Sequence, residues 1–303
     1  MSAALSHEWL NQRFGPSVRF AEPMSRHTSW HAGGPADVFF EPRDAIELSR
    51  FLEMLPQRTA VLWLGLGSNL LVRDGGIRGV VVSTHAALHG LRRIGDTEVQ
   101  ADAGVHCARI ARQCVKWGLG PAEFFAGIPG TLGGALAMNA GAFGGETWNH
   151  VVEVEVMDGH GTRRTRARSE YTVGYRHVSG PGTGECFLAA RLRFEPRPDA
   201  SLDTIRDLLV RRRQTQPIGE WSCGSVFTNP SGDHAARLIE SAGLKGHRIG
   251  DAQVSPKHAN FIVNCGAARA ADLEALILHV QKVIQERFGV HLTPEVRIVG
   301  EAK

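Results

Sequence analysis

The spacing of apolar residues changes along the chain and marks out its elements. Residues 37–40 (DVFF) predict a short strand, and over 43–55 Ile46, Leu48, Phe51, Leu52 and Leu55 make the apolar face of a helix. Residues 60–64 form a buried strand, so the chain opens as β-α-β. In GLGSNLLVRDGGIRGVVVS the runs LLV and GVVVS continue as strands around an Asp74-Gly75-Gly76 turn. Residues 98–101 predict a strand. Residues 105–117 predict a helix with Cys107, Ile110, Ala111, Cys114 and Val115 on its inner face. Alternation over 151–157 (VVEVEVM) and 187–194 predicts strands with one wet face, and SEYTVGYRHV between them is loop-like. Composition shifts at Glu195-Pro196-Arg197-Pro198, which reads as a domain boundary. Beyond it, helices over 202–214, 233–242 and 271–288 alternate with strands over 259–263 and 290–299. This half has the character of a substrate-binding cap on a cofactor domain.

Two glycine-rich stretches interrupt this order. GIPGTLGGALAMNAGAFGG (127–145) holds seven glycines and only Thr131 and Asn139 as polar side chains. Glycine costs entropy in ordered structure, so it marks backbone that bends through positive φ or approaches another object closely. Thr131 as N-cap and a helix to Asn139 would present an almost bare N-terminus that attracts anions. The stretch is therefore either a buried glycine-rich helix contact or a cradle for a phosphorylated cofactor. Residues 65–69 (GLGSN) begin G-x-G, but Leu70 stands at the third-glycine position and strands follow, so the dinucleotide fingerprint fails. This loop is either an ordinary strand connection or an anion-binding nest.

Composition narrows the class. A chain of 303 residues suits two or three domains, and no run of about 18 apolar residues suggests a membrane span. MSAALSHEWL lacks a basic segment followed by an apolar core, which places the protein in the cytoplasm. Five scattered cysteines without a C-x-x-C pair argue against a disulfide framework or a zinc site. The net charge is +3, and only five of the 34 basic residues are Lys; the arginine excess suits phosphate and carboxylate ligands. Arg163, Arg164, Arg166 and Arg168 alternate along a strand as a solvated face, and without interleaved aromatics they do not make a nucleic-acid patch. His85 and His89 lack a ligating context, and His27 and His31 shape the loop before Gly33-Gly34-Pro35, so no metal is expected.

Seven motifs then fall in order: GLGSNLLVRDGGIRGVVV, AGIPGTLGGALAMNAGAFGGE, YR, RRQTQP, GSVFTNP, AGLKGHRIGDAQVSPKHANFIVN and PEVRIVG. Together they resemble the UDP-N-acetylenolpyruvoylglucosamine reductases over nearly the whole chain. With 48 residues between Arg176 and Ser225, the chain is similar to the shorter type that lacks an inserted tyrosine loop. It departs at Val178, where the family commonly has serine.

The resemblance implies an α+β fold: an FAD-binding domain of the vanillyl-alcohol-oxidase (PCMH) type in two α+β subdomains, 1–84 and 85–196, plus a C-terminal α/β substrate-binding domain, 197–303. It implies non-covalent FAD held by Gly65, Gly67, Ser68 and Asn69 and by Gly127, Ile128, Pro129, Gly130, Thr131, Gly133, Gly134, Asn139, Ala140 and Gly141. NADPH is the implied hydride donor. UDP-N-acetylglucosamine-enolpyruvate is the implied substrate, without nucleic-acid or membrane partners, and peptidoglycan synthesis the implied setting. Adding a hydride and a proton across the enol ether needs charge stabilisation at the adjacent carboxylate and a proton donor to carbon. The family's assignments fall on Arg176 and Glu295 for the charge and Ser225 for the proton. Tyr175, Arg212, Arg213, Gln216, Asn229, Lys245, Gln253, Ser255, His258 and Asn260 are the implied substrate contacts. An alcohol or hydroxy-acid oxidase on the same fold, or a non-catalytic regulator, is the rival class; intact Arg176, Ser225 and Glu295 speak against the regulator.

Overall fold

The computed structural model describes residues 6–182 and 184–303, so Met1 to Leu5 of the N-terminal stretch lie outside it. It separates into two compact units that interleave along the chain. The first comprises the described residues up to Phe20 with Val38–Gly65 and Gly79–Val210; the second comprises Ala21–Asp37, Leu66–Arg78 and Arg211–Lys303. A division into contiguous blocks at 84 and 196 is thus a different partition from the packing one.

In the first unit, helix α1 (His7–Phe14) starts at Ser6, whose hydroxyl accepts from the Trp9 N–H, and α2 (Ala45–Met54) starts at Asp44, whose carboxylate accepts from Ile46 and Glu47. These caps satisfy N–H groups that have no partner inside a helix. Leu48, Phe51 and Leu52 of α2 are buried with Val38, Phe40, Val80 and Val82. The Phe40 and Phe51 rings stack at 3.8 Å. Ile46 departs from the expected face and is 60% exposed. It precedes Leu48 by two residues, which turns it to the other side of a helix. The neighbouring sheet runs in the order Val18–Pro23, Pro35–Phe40, Ile77–Ser83, Val61–Leu64, with the last two parallel. The expected β-α-β opening is therefore present, with Ile77–Ser83 inserted between its two strands.

An antiparallel five-stranded sheet follows, in the order Arg163–Ala167, Val151–Met157, Cys186–Arg193, Glu98–Asp102, Leu91–Ile94. Val99, Ala101, Val154, Val156, Ala190 and Leu192 share a core with α3 (Cys107–Lys116) and α4 (Leu132–Met138). Cys107 and Cys114 sit in that core on α3, and burial pushes their thiols up, Cys114 to about 12. On the edge strand, exposed Arg163 bridges to Glu155 at 3.4 Å as expected of a solvated position, whereas Arg166, on the opposite face of the strand, is half-buried and pairs with Glu185 at 2.6 Å. Helix α5 (Leu202–Thr215) adds Ile205 to the same core.

In the second unit, Trp221–Ser222, Ile262–Asn264, Ala252–Val254 and Arg248–Ile249 form an antiparallel sheet in that order. Its side chains pack with α6 (Ala235–Ser241) and α7 (Ala270–Phe288) through Leu238, Ile239, Leu273, Leu276, Ile277, Val280 and Ile284. The segment around Asp74 is not a hairpin. Leu70–Val72 pairs in parallel with Arg297–Val299, whereas Ile77–Ser83 pairs with Val61–Leu64. Asp74 instead caps α7, its carboxylate accepting from the N–H groups of Ala270 and Ala271 at 3.1 and 2.9 Å. The last strand is short, Arg297–Val299; upstream of it Pro294 makes an isolated bridge to Phe227.

Candidate active site

In the first unit the candidate residues gather around α4. Thr131 occupies the N-cap position without a side-chain cap bond, and the N–H groups of Leu132 and Gly133 donate to the carbonyls of Val105 and Ala103 at 2.9 and 2.7 Å. The helix start is therefore not bare, because the preceding strand connection already supplies its acceptors. Most of the glycines here answer to packing. A Cβ on Gly65 would meet the Thr131 hydroxyl at 2.8 Å, on Gly127 the Ala142 and Phe143 side chains at 2.6 Å, and on Gly133 Ala103 at 3.0 Å, while on Gly141 it would overlap the Gly145 carbonyl. Gly134 differs: it is exposed, and a Cβ there would meet nothing within 4 Å. With exposed Ala137 one turn on, it leaves a helix flank with almost no side chain.

Asn139 ends α4 in the left-handed conformation, φ 48°, and is 1% exposed. Its amide donates to Glu146 and to the Gly174 carbonyl at 2.9 and 3.1 Å, and its side-chain oxygen accepts from the Trp148 N–H at 3.1 Å. Its side chain thus fixes the protein's own turns. Ala140, also buried, accepts the Thr147 hydroxyl on its carbonyl at 2.7 Å. Ile128 is buried and Pro129 exposed.

The stretch SEYTVGYRHV contains a hairpin, Thr172–Gly174 with His177–Ser179, and Tyr175-Arg176 is its two-residue tip. Arg176 has φ 54°, a conformation that costs a non-glycine residue about 1 kcal/mol or more. Its guanidinium donates to the carbonyls of Asn139 and Gly141 at 3.4 and 3.3 Å and lies 5.1 Å from the Tyr175 ring. The hairpin thereby fastens Arg176 to the C-terminal end of α4. Val178 opposes Val173 across the hairpin, and both pack against the main core, which accounts for an apolar residue there. Sequence reasoning passed over Phe143, 41% exposed at the tip of the Gly141–Ala142 and Gly145–Glu146 hairpin with φ 51°. The only signal was Phe before Gly144 in a tight turn.

In the second unit a separate group forms. Gly67 is buried with φ 61°; the His27 carbonyl occupies the space of its missing Cβ, and its own carbonyl accepts from the Ser29 N–H at 3.1 Å. His27 shapes this loop as expected, its ring 2.8 Å from Glu22. Ser68 and Asn69 are half-buried. The Asn69 amide donates to the Glu295 carbonyl at 3.0 Å. Glu295 lies outside any strand, and its N–H donates to the Val226 carbonyl at 2.7 Å. Thr228 donates to the Thr293 carbonyl at 3.0 Å, so the segments bearing Ser225 and Glu295 run side by side, and both residues are half-buried. Asn260, 4% exposed, accepts the Phe227 N–H on its side-chain oxygen at 3.0 Å and donates to the Phe227 carbonyl at 2.8 Å.

The remaining substrate candidates divide by what their side chains already do. Ser255 is fully buried and accepts from the N–H groups of Lys257 and His258 at 3.2 and 3.5 Å; Asn229 accepts from Ala235 at 3.1 Å at the start of α6. Gln253 donates to the Gly246 carbonyl at 3.2 Å, and Lys245 pairs with Glu240 at 3.0 Å. Arg213 is exposed, and its carbonyl accepts from Lys257. Arg212 is half-buried, its Nε donating to Gln216 at 2.7 Å, and burial depresses its pKa. Burial, helped by the charge of Lys245, holds His258 below the usual imidazole range.

Residues 36–166 match the FAD binding domain family, and residues 216–299 match the family described as UDP-N-acetylenolpyruvoylglucosamine reductase, C-terminal domain. A UDP-N-acetylenolpyruvoylglucosamine reductase of Alkalilimnicola ehrlichii is 58% identical over 94% of this chain and 96% of its own length. One of Methylococcus capsulatus is 56% identical over 93% of each chain. A crystal structure of UDP-N-acetylenolpyruvylglucosamine reductase from Thermus caldophilus superposes with a TM-score of 0.78 at 32% identity, covering 93% of this chain and 97% of that one. The fold is thus the expected α+β arrangement with an FAD-binding part, and the chain belongs to the UDP-N-acetylenolpyruvoylglucosamine reductase family.

Proposed function

We propose that this chain uses NADPH to reduce the enolpyruvyl ether of UDP-N-acetylglucosamine-enolpyruvate to the lactyl ether, giving UDP-N-acetylmuramate for peptidoglycan synthesis in the cytoplasm. The observation that carries this reading is the fastening of the Ser225 segment beside the Glu295 segment, with both side chains left half-buried. Among the described residues no helix is long and apolar enough to cross a membrane. The exposed, side-chain-free flank at Gly134 fits a large planar cofactor lying against backbone. FAD, held by residues of 65–69 and 127–141, supplies hydride transfer to the vinyl carbon when bound. Arg176 and Glu295 balance the charge that grows on the substrate carboxylate, and Ser225 delivers the proton to the carbon bearing the ether oxygen. Arg212, Arg213, Gln216, Lys245, Gln253 and His258 supply cations and donors for the nucleotide diphosphate, with Tyr175 at the hairpin tip; Asn229, Ser255 and Asn260 shape loops among them. In functional terms 1–84 and 85–196 serve FAD and 197–303 serves the substrate.

Purified protein is expected to be yellow, to bleach with NADPH, and to regain its colour anaerobically when the enolpyruvyl substrate is added. A colourless protein that takes up no FAD would sink this function. Within the proposed cofactor cradle, Gly134→Val should lower bound FAD severalfold while leaving the melting temperature of the FAD-free protein nearly unchanged, because its side chain enters open space that the cofactor is proposed to take. Gly141→Val should instead lower the melting temperature, since its Cβ collides with the Gly145 carbonyl. Full FAD content in Gly134→Val, read from visible absorbance per chain, would remove this flank from the cofactor site.

A further inference from the structure

We infer that Asn260 is a positioning residue for the proton-delivering Ser225, acting through the backbone of Phe227 and not by touching the substrate. This inference rests on the role given to Ser225 above.

Ser225 lies between Gly224, which turns through φ 74°, and Val226, in a segment outside any regular strand or helix. Such a segment does not hold a hydroxyl at a fixed point unless its peptide groups are pinned. Three bonds come from one residue. The Asn260 carbonyl accepts the Val226 N–H at 2.9 Å, its side-chain oxygen accepts the Phe227 N–H at 3.0 Å, and its amide donates to the Phe227 carbonyl at 2.8 Å. The side-chain pair copies the two-point pattern of a β-ladder where no strand is present. Asn260 is 4% exposed, so its carboxamide is committed to this clamp. On the far side the Val226 carbonyl accepts the Glu295 N–H at 2.7 Å. Val226 and Phe227 are themselves 1% and 2% exposed, which anchors the clamp in the core. Removing the carboxamide strands a buried N–H and a buried carbonyl and frees the peptide next but one to Ser225. Misplacing a catalytic group by even ~1 Å can cost on the order of 10²-fold in rate.

The test uses the full-length FAD-loaded protein and four variants: Asn260→Ala, Asn260→Asp, Ser225→Ala and the Ser225→Ala, Asn260→Ala double variant. Hydrogen exchange should show faster exchange at the Phe227 amide in Asn260→Ala, independently of turnover. NADPH bleaching should stay within about twofold of the parent, while colour return with the enolpyruvyl substrate slows at least about tenfold. The double variant should be no slower than Ser225→Ala, because both changes remove one contribution. Asn260→Asp keeps the acceptor for the Phe227 N–H, and once protonated its acid group donates to the Phe227 carbonyl, so its deficit should shrink as pH falls. It also serves where Asn260→Ala fails to fold. A raised KM with unchanged kcat, equal slowing of both half-reactions, or additive losses in the double variant would overturn the inference. Normal colour return in Asn260→Ala beside a slow Ser225→Ala would overturn it alone, whereas normal colour return in Ser225→Ala would remove the role of Ser225 and this inference with it.

Discussion

Ser225→Ala is expected to fold, to bind FAD and to bleach with NADPH at the parental rate, yet to regain its colour with the enolpyruvyl substrate about 100-fold more slowly or worse. The side chain is half-buried in a segment whose backbone is fixed by Asn260 on one side and Glu295 on the other, so losing one hydroxyl disturbs little packing. Bleaching by NADPH requires no proton delivery to carbon. Substrate reduction does, and an aliphatic hydroxyl is too weak an acid to release its proton unless release is coupled to charge building on that carbon. Ser225→Cys, which retains a transferable proton, should recover part of the loss. Stopped-flow absorbance under anaerobic conditions measures both halves, and a near-parental second half in the alanine variant would transfer the acid's role to Glu295 or to water.

Arg176→Lys is expected to slow the same second half by roughly 10²–10³-fold, the usual loss when one preorganised donor to a developing oxyanion is removed. The guanidinium is a planar fork already oriented by the carbonyls of Asn139 and Gly141, whereas an ammonium on a flexible stem offers a single point charge. The unusual backbone angle at Arg176 points the same way, since a left-handed non-glycine residue persists only where its surroundings hold it. NADPH bleaching should persist. Equal slowing of both halves would assign Arg176 to binding or folding.

Strong local periodicity made much of the fold legible in the sequence. The alternation VVEVEVM became Val151–Met157 without a shift, and the long apolar stripe of 271–288 became α7, Ala270–Phe288. Elements that depend on distant partners were not legible. Leu70–Val72 looks like half of a hairpin until Arg297–Val299, more than two hundred residues away, takes the pairing place. Leu91–Ile94 has two adjacent exposed arginines at its centre and no alternation to reveal it. At the candidate site, the glycines and the motif order marked out the loops by residue. They did not show that the first N–H groups of α4 are already used, that Asn139 faces the protein, or that Tyr175-Arg176 forms a hairpin tip. Each of these depends on a partner contributed by another part of the chain.

The interleaving of the two units bears on how the protein is made. The second unit needs Trp30, whose indole donates to the Ile262 carbonyl and whose own carbonyl accepts from Asn264, and it needs Leu70–Val72 to pair with Arg297–Val299. These contacts span most of the sequence, and long loops must close before any of them forms. During synthesis on the ribosome, Trp30 and Leu70–Val72 must wait for these partners until residues 262–264 and 297–299 have been made. A fragment beginning at residue 211 lacks Trp30, Ala32 and Leu71 from its core and is expected to aggregate when expressed alone. Co-expression with the remainder of the chain should restore it to solution.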